Sequence, residues 1–227
     1  LSIRGGRGSE NMLLLDGVPL IGAVHFAGAP SAINPDAIAM FDVHTGVSSA
    51  RYDGALSGVI DLHTVDVAPR QFQITGSLSS TDVRSVARAP LGGSGSLLVG
   101  IRSSFRNLFG DGNEFGSSTG YQDGIATAHF ALGRSAFSLV GFASGNQLTW
   151  QGAAAATTSD AARTTDPRVM QTVIPTQGPA TGDAADWWST AGGATWTLPL
   201  GGNTEWHTVG WWTGSQATIA ALAGSAN

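Results

Sequence analysis

Ile33–Thr64 reads INPDAIAMFDVHTGVSSARYDGALSGVIDLHT, and the character of the chain changes at its end. Asn34-Pro35-Asp36 is a helix-start signal: Asn34 can cap, and Pro35 suits the first helical position. Ala37–Met40 would supply that short turn. Phe41, Val43 and Thr45 then alternate with Asp42 and His44, which reads as a strand ended by Gly46. Ser48–Tyr52 reads as another short turn, and Gly58–Thr64 as a further strand. Small elements joined by Gly and Pro give a tight globule with little regular helix.

Upstream the pattern is similar. Leu1–Arg4 is strand-like and runs into a Gly-rich, charged turn at Gly5–Gly8. Met12–Leu15 is an apolar run too short for a helix and reads as a buried strand. Asp16-Gly17, a strong turn dipeptide, closes it. Val18-Pro19-Leu20 resumes the strand, and Gly22–Pro30 is a loop.

Downstream of Thr64 a two-residue period takes over. Phe72, Ile74 and Leu78 alternate with Gln73, Thr75 and Ser77. Val83, Ala87 and Ala89 alternate with Arg84 and Arg88. Leu97, Val99, Ile101 and Phe105 alternate with Gly100, Arg102 and Arg106. Trp188, Trp196 and Leu198 share one parity, as do Trp206 and Trp212. Such a period sends one set of side chains to each face of a sheet. In Ala136–Gly145 the parity conflicts, because Val140 and Phe142 disagree with Phe137 and Leu139. The connections alternate in length. Gly92–Gly95, Gly133–Ser135 and Gly201–Asn203 are tight, whereas Asn107–Gly120 and Thr149–Ala185 are long and polar; one tight turn, near Thr81-Asp82, is expected at the outer rim. Outer-membrane barrels have that asymmetry, with short turns at one rim and long loops at the other. All seven Trp follow Gln147. Trp150, Trp187, Trp188 and Trp206 stand near expected strand ends, as an interfacial aromatic girdle requires.

Composition narrows the function. Charged residues are 12%, against the quarter usual in soluble proteins; net charge is −5 and every cation is an Arg. With no basic stripe, a nucleic-acid partner is not expected. Zero Cys removes disulfides, thiolate metal sites and thiol catalysis. No apolar run of about 18 residues exists, so a membrane could be crossed only by strands.

Ile3-Arg4-Gly5, Asn11 through Asp16-Gly17-Val18-Pro19, Asn34–Ile38 and Val43–Gly46 together resemble the plug domain of TonB-dependent outer-membrane receptors. Ala50–Gly54 followed by Gly58–Leu62 is similar to the segment that closes that plug. Three positions depart from the family habit: Asp42 replaces a Glu, Asp53 a Gly and Asp61 an Asn. The resemblance implies a mostly β chain: a partial plug domain (small α+β) over 1–66, then about seven antiparallel strands of an incomplete transmembrane β-barrel over 67–227. Barrels of this plugged kind have about 22 strands. The chain is therefore expected to be a fragment. The plug's first half, with its TonB-contact segment, would precede Leu1. The implied function is energised import of a scarce nutrient across the bacterial outer membrane, with TonB, outer-membrane lipid and a small nutrient ligand as partners, no cofactor and no enzymatic activity.

The residues singled out as plug-motif positions are Arg4, Gly5, Asp16, Gly17, Asp36, Asp42, Gly46, Arg51, Tyr52 and Gly58. Buried charges need partners, so the lumen-facing Arg84, Arg88, Arg102 and Arg106 either meet the carboxylates Asp16, Asp36 and Asp42 or merely line a solvated lumen; the sequence leaves both readings open. Loop residues 22–32 and 149–185 are the ligand-binding candidates. His44, Asp61 and His63 are weighed as a metal site and set aside, because no third ligand with a second shell is evident. No G-x-S-x-G elbow and no phosphate loop occur. The competing reading is a soluble β-rich binding module, carbohydrate-binding or adhesin-like.

Overall fold

A computed structural model of the chain describes residues 11–23, 25, 32–45, 52, 57–105, 117–150 and 184–220. Two sheets are built from eleven strands. The small sheet holds β1 (Met12–Leu15), β2 (Val18–Leu20), β3 (Ile38–His44) and β4 (Val59–Thr64), in the order β2-β1-β4-β3. β1 and β2 form a hairpin, β1 runs parallel to β4, and β3 pairs antiparallel with β4.

The hairpin turn is Asp16-Gly17, with φ 48° and 80°. Both values are positive, as the type I′ turn demands, and Asp-Gly is a preferred pair for it. Asp16 also fixes the far end of β4. Its carboxylate accepts the Thr64 N–H at 2.9 Å and the Thr64 hydroxyl at 2.6 Å. A Gly17→Val variant should lose about 1–3 kcal/mol through the strained φ; denaturant titration in detergent checks it.

The expected helical start is present but shorter than the sequence suggested. Pro35–Ala37 is a single 3₁₀ turn, and Ile38 is already extended. Asn34 caps it, its side-chain oxygen accepting the Asp36 N–H at 3.0 Å. Ladder bonds to β4 capture Ile38–Met40 before a second turn can form.

The large sheet is antiparallel and sequential: β5 (Gln73–Leu78), β6 (Asp82–Pro90), β7 (Ser96–Ser104), β8 (Ser117–Leu132), β9 (Ser135–Trp150), β10 (Ala184–Gly201) and β11 (Thr204–Ala220). The four tight turns fall where the sequence placed them. The long connections are shorter than expected, because Ser117–Gly120 pairs with Gln147–Trp150 and β10 begins at Ala184. Their Ser, Thr and Gly content reads as loop, yet these residues continue the ladder.

One core joins the two sheets. Leu15, Val18, Leu20, Ala23, Ala32, Ile33 and Ala37 pack against Val86, Leu98, Ile125, Val140, Phe142 and Ala191 of the large sheet. These contacts define the large sheet's inner face, and register extends the assignment to every strand. Here the parity conflict in β9 resolves. Val140 and Phe142 point inward to this core, whereas Phe137 and Leu139 point outward. β9 is apolar on both faces because each has something to meet.

The outer face differs sharply. Cross-strand partners Ile74, Ala87, Val99, Ala126, Gly141, Gly192 and Trp212 form one uninterrupted row. Four positions nearer the tight turns lies an aromatic row, Phe130, Phe137 and Trp196. Four positions the other way lies Trp188. The eight residues from Trp188 to Trp196 span about 26 Å of strand. At a barrel's usual tilt that is about 20 Å of depth, close to the apolar band of such proteins. Among the described residues, no outer-face position between these two rows carries a charge. Trp187 lies on the inner face, opposite to Trp188, and so leaves the expected outer girdle.

Candidate functional site: the interface between the two sheets

The inner face carries the charge that the outer face lacks. Asp82, Arg84, Arg88, Arg102, Asp123 and His129 all point inward from β6, β7 and β8. Two clusters tie them to the small sheet's connections.

The first surrounds the 3₁₀ turn. Asn34, fully buried, donates its amide to the carbonyls of Ile101 at 3.2 Å and Ser85 at 3.4 Å, on adjacent strands. Asp36 lies 3.6 Å from Arg84, which is equally close to Asp82. Gly100 permits this approach: a Cβ there would stand 2.8 Å from Ile125 and 3.4 Å from Ala37.

The second cluster is deeper and sequence reasoning missed it. His25 follows β2 and is 2% exposed. Its ring stacks on Tyr121 with centroids 4.2 Å apart. Arg102 Nη2 lies 2.8 Å from His25 Nε2, and His25 Nδ1 lies 2.6 Å from Asn146 Oδ1. A guanidinium can only donate, so Nε2 accepts from Arg102 and Nδ1–H donates to Asn146. Asp123 Oδ2, 3.1 Å from Nε2, is then a second acceptor converging on the same guanidinium. It takes both Nε and Nη2 of Arg102 at 2.7 Å. The Arg102 side chain also sits over the Tyr121 ring, 5.3 Å from its centroid, and Tyr121 donates to Asp82 at 2.7 Å. Six side chains from five segments thus form one connected, largely buried set.

The segment joining the sheets is held as well. Arg88 donates to the Val67 carbonyl at 2.6 Å and Ser96 to the Asp66 carbonyl at 2.9 Å. On the other flank contact is by close approach. A Cβ on Gly193 would lie 2.5 Å from Val18 and 3.0 Å from the Gly210 carbonyl. Gly193→Val should therefore cost about 1–3 kcal/mol by overpacking, read as a lowered unfolding midpoint.

Among the described residues, Asp36 is the one of the carboxylates Asp16, Asp36 and Asp42 that lies beside an arginine of the large sheet, Arg84. Asp16 instead holds Thr64, Asp42 lies 3.2 Å from His63, Arg88 takes a carbonyl and Arg102 takes Asp123. Each finds a nearer partner in its own sheet or linker. Tyr52 stands 3.4 Å from His44, and Gly58 accepts the Met12 N–H at 2.9 Å. His63 is 4.0 Å from Asp61, and no group suited to hold a metal occurs among the described residues. Arg4, Gly5, Gly46, Arg51, Arg106 and the greater part of both candidate ligand loops lie outside the described residues.

Asp123 was discoverable in principle, since it stands directly across from Arg102. That needs the register of two strands separated by a long connection. For His25 the sequence offers no signal.

Residues 1–59 match the family model of the TonB-dependent receptor plug domain. No curated protein matches the chain. The matched region contributes β1, β2, the 3₁₀ turn and β3, the elements that clasp the inner face of the large sheet. The first quarter of the chain is thus similar to the plug domain of TonB-dependent receptors, and an antiparallel sheet of seven strands, consistent with part of a barrel, follows it.

Proposed function

We propose that the chain is the closing part of a plug, over 1–66, with the barrel strands that follow it over 67–227. The whole receptor imports a scarce nutrient through the bacterial outer membrane, energised by TonB. It is a transporter and catalyses no reaction. The observation that carries this reading is the division of chemistry between the faces of the large sheet. Charges and hydrogen bonds face the plug; an uncharged band of about bilayer depth, edged by aromatic rows, faces away. Among the described residues no helix is long and apolar enough to cross a membrane; strands would do so. Isolated sheet edges are not viable in lipid, and the first and last strands, β5 and β11, are such edges. Further strands of the same receptor would close them, about 15 if the total is about 22. Arg102, with Arg84 and Arg88, then lines the lumen side and anchors the plug.

A soluble binding module fits less well. Ile101, Ile74, Trp196 and Trp212 are 43–67% exposed on one face, with no second layer over them. The deciding experiment expresses the gene with its flanking sequence and fractionates the cells. Recovery from the outer membrane only with detergent is expected. A monomer that folds cooperatively without detergent would overturn the reading.

A further inference from the structure

The His25 ring is enclosed by groups from three strands of the large sheet: Arg102 on β7, Tyr121 and Asp123 on β8, and Asn146 on β9. We propose that this enclosure is a socket specific for an imidazole ring, and that His25 is a positioning residue which latches the segment after β2 to the wall. Each wall of the socket selects. Tyr121 offers a flat face parallel to within 26°. The Arg102 guanidinium requires an acceptor at Nε2, and Asn146 Oδ1 requires a donor at Nδ1. Only the tautomer with its hydrogen on Nδ1 satisfies both. Asp123 holds Arg102 in place by two contacts to one oxygen, and Asp82 holds Tyr121 through its hydroxyl.

The consequence is mechanical. Ala23, 3% exposed, and Gly22, whose carbonyl accepts from Ser189 at 3.3 Å, immediately precede the latch. Seating the ring therefore fixes how that stretch lies against β9 and β10. A ligand or a pull on the plug that moves residues 22–25 must first withdraw the ring. The latch rests on the plug-and-wall reading only for naming what it joins; the socket itself is geometry. Its failure would leave the membrane assignment standing.

The chain has no native Cys, so an Ala23→Cys variant reports on the latch by maleimide labelling. The experiment uses the full protein as its gene encodes it, in detergent micelles. Adding His25→Ala should raise the labelling rate at least tenfold. His25→Phe, which keeps a tethered flat ring but offers neither the acceptor nor the donor, should label as fast as His25→Ala. If His25→Ala leaves labelling unchanged, or if His25→Phe labels as slowly as the parent, the socket is not a specific latch. Should His25→Ala fail to fold, ¹⁵N NMR of histidine-labelled wild-type protein decides. One ring in the Nδ1–H tautomer supports the proposal, and its absence overturns it.

Discussion

An Asp123→Ala variant is expected to lose about 3–5 kcal/mol of stability, the largest effect of any single truncation in the plug–wall interface. The side chains of Asp123 and Arg102 are 2% and 4% exposed. Removing the carboxylate takes from the buried guanidinium the one charge it contacts at 2.7 Å, while His25 Nε2 and the Tyr121 ring stay beside it. Neither compensates a full charge. The penalty belongs to the unpaired cation more than to the lost attraction, and that makes the prediction specific. An Arg102→Met/Asp123→Leu double variant should cost much less than Asp123→Ala alone, because both charges of the pair are removed together. Urea titration of the three proteins in the same detergent tests both statements. Additive losses would mean that Arg102 finds water once Asp123 is gone, and that the cluster is less buried than its geometry implies.

The same contrast explains why this cluster was hidden in the sequence while its surroundings were not. The small-sheet hairpin, the Asn34 cap, the tight turns and the alternation in β5–β7 are local. Asp16-Gly17 needs only its own φ angles, and Ile74 or Val99 needs only its neighbours' parity. The cluster is the opposite. His25, Arg102, Asp123 and Asn146 are separated by up to 121 residues, and they meet only once three strands have their register. The arginines illustrate the limit well. Their inward parity was legible, but Asp36 alone of the expected carboxylates reaches one of them. β9 misled for a related reason. Its outward Phe137 and Leu139 and inward Val140 and Phe142 are both apolar, so periodicity fades in a strand with a plug on one side.

The second large effect concerns the outer face. Val99 lies at mid-depth of the apolar band, in the row shared with Ala126 and Gly141. Val99→Arg should cost about 2–4 kcal/mol for a strand in a bilayer, whereas Ser103→Arg, level with Trp188, should cost about 0–1. On a water-exposed sheet both changes would stay within about 0.5 kcal/mol. The comparison is made by reversible unfolding of the whole receptor in lipid vesicles. Because both substitutions introduce the same side chain on the same strand, their difference isolates depth. Equal, small losses would place the outer face in water and favour a soluble module.

The most direct test of the account is a spin-label scan of β7 in vesicles, using single cysteines at each position from Leu97 to Ser103 of this Cys-free stretch, with any cysteine elsewhere in the receptor replaced by serine. The two-faced wall predicts a strict period of two. Labels at 97, 99 and 101 should be relaxed by oxygen and shielded from a water-soluble nickel chelate, while labels at 98, 100 and 102 should be reached by neither. Exposure of 97, 99 and 101 to the nickel chelate, at the level of a surface loop, would contradict a membrane-embedded wall.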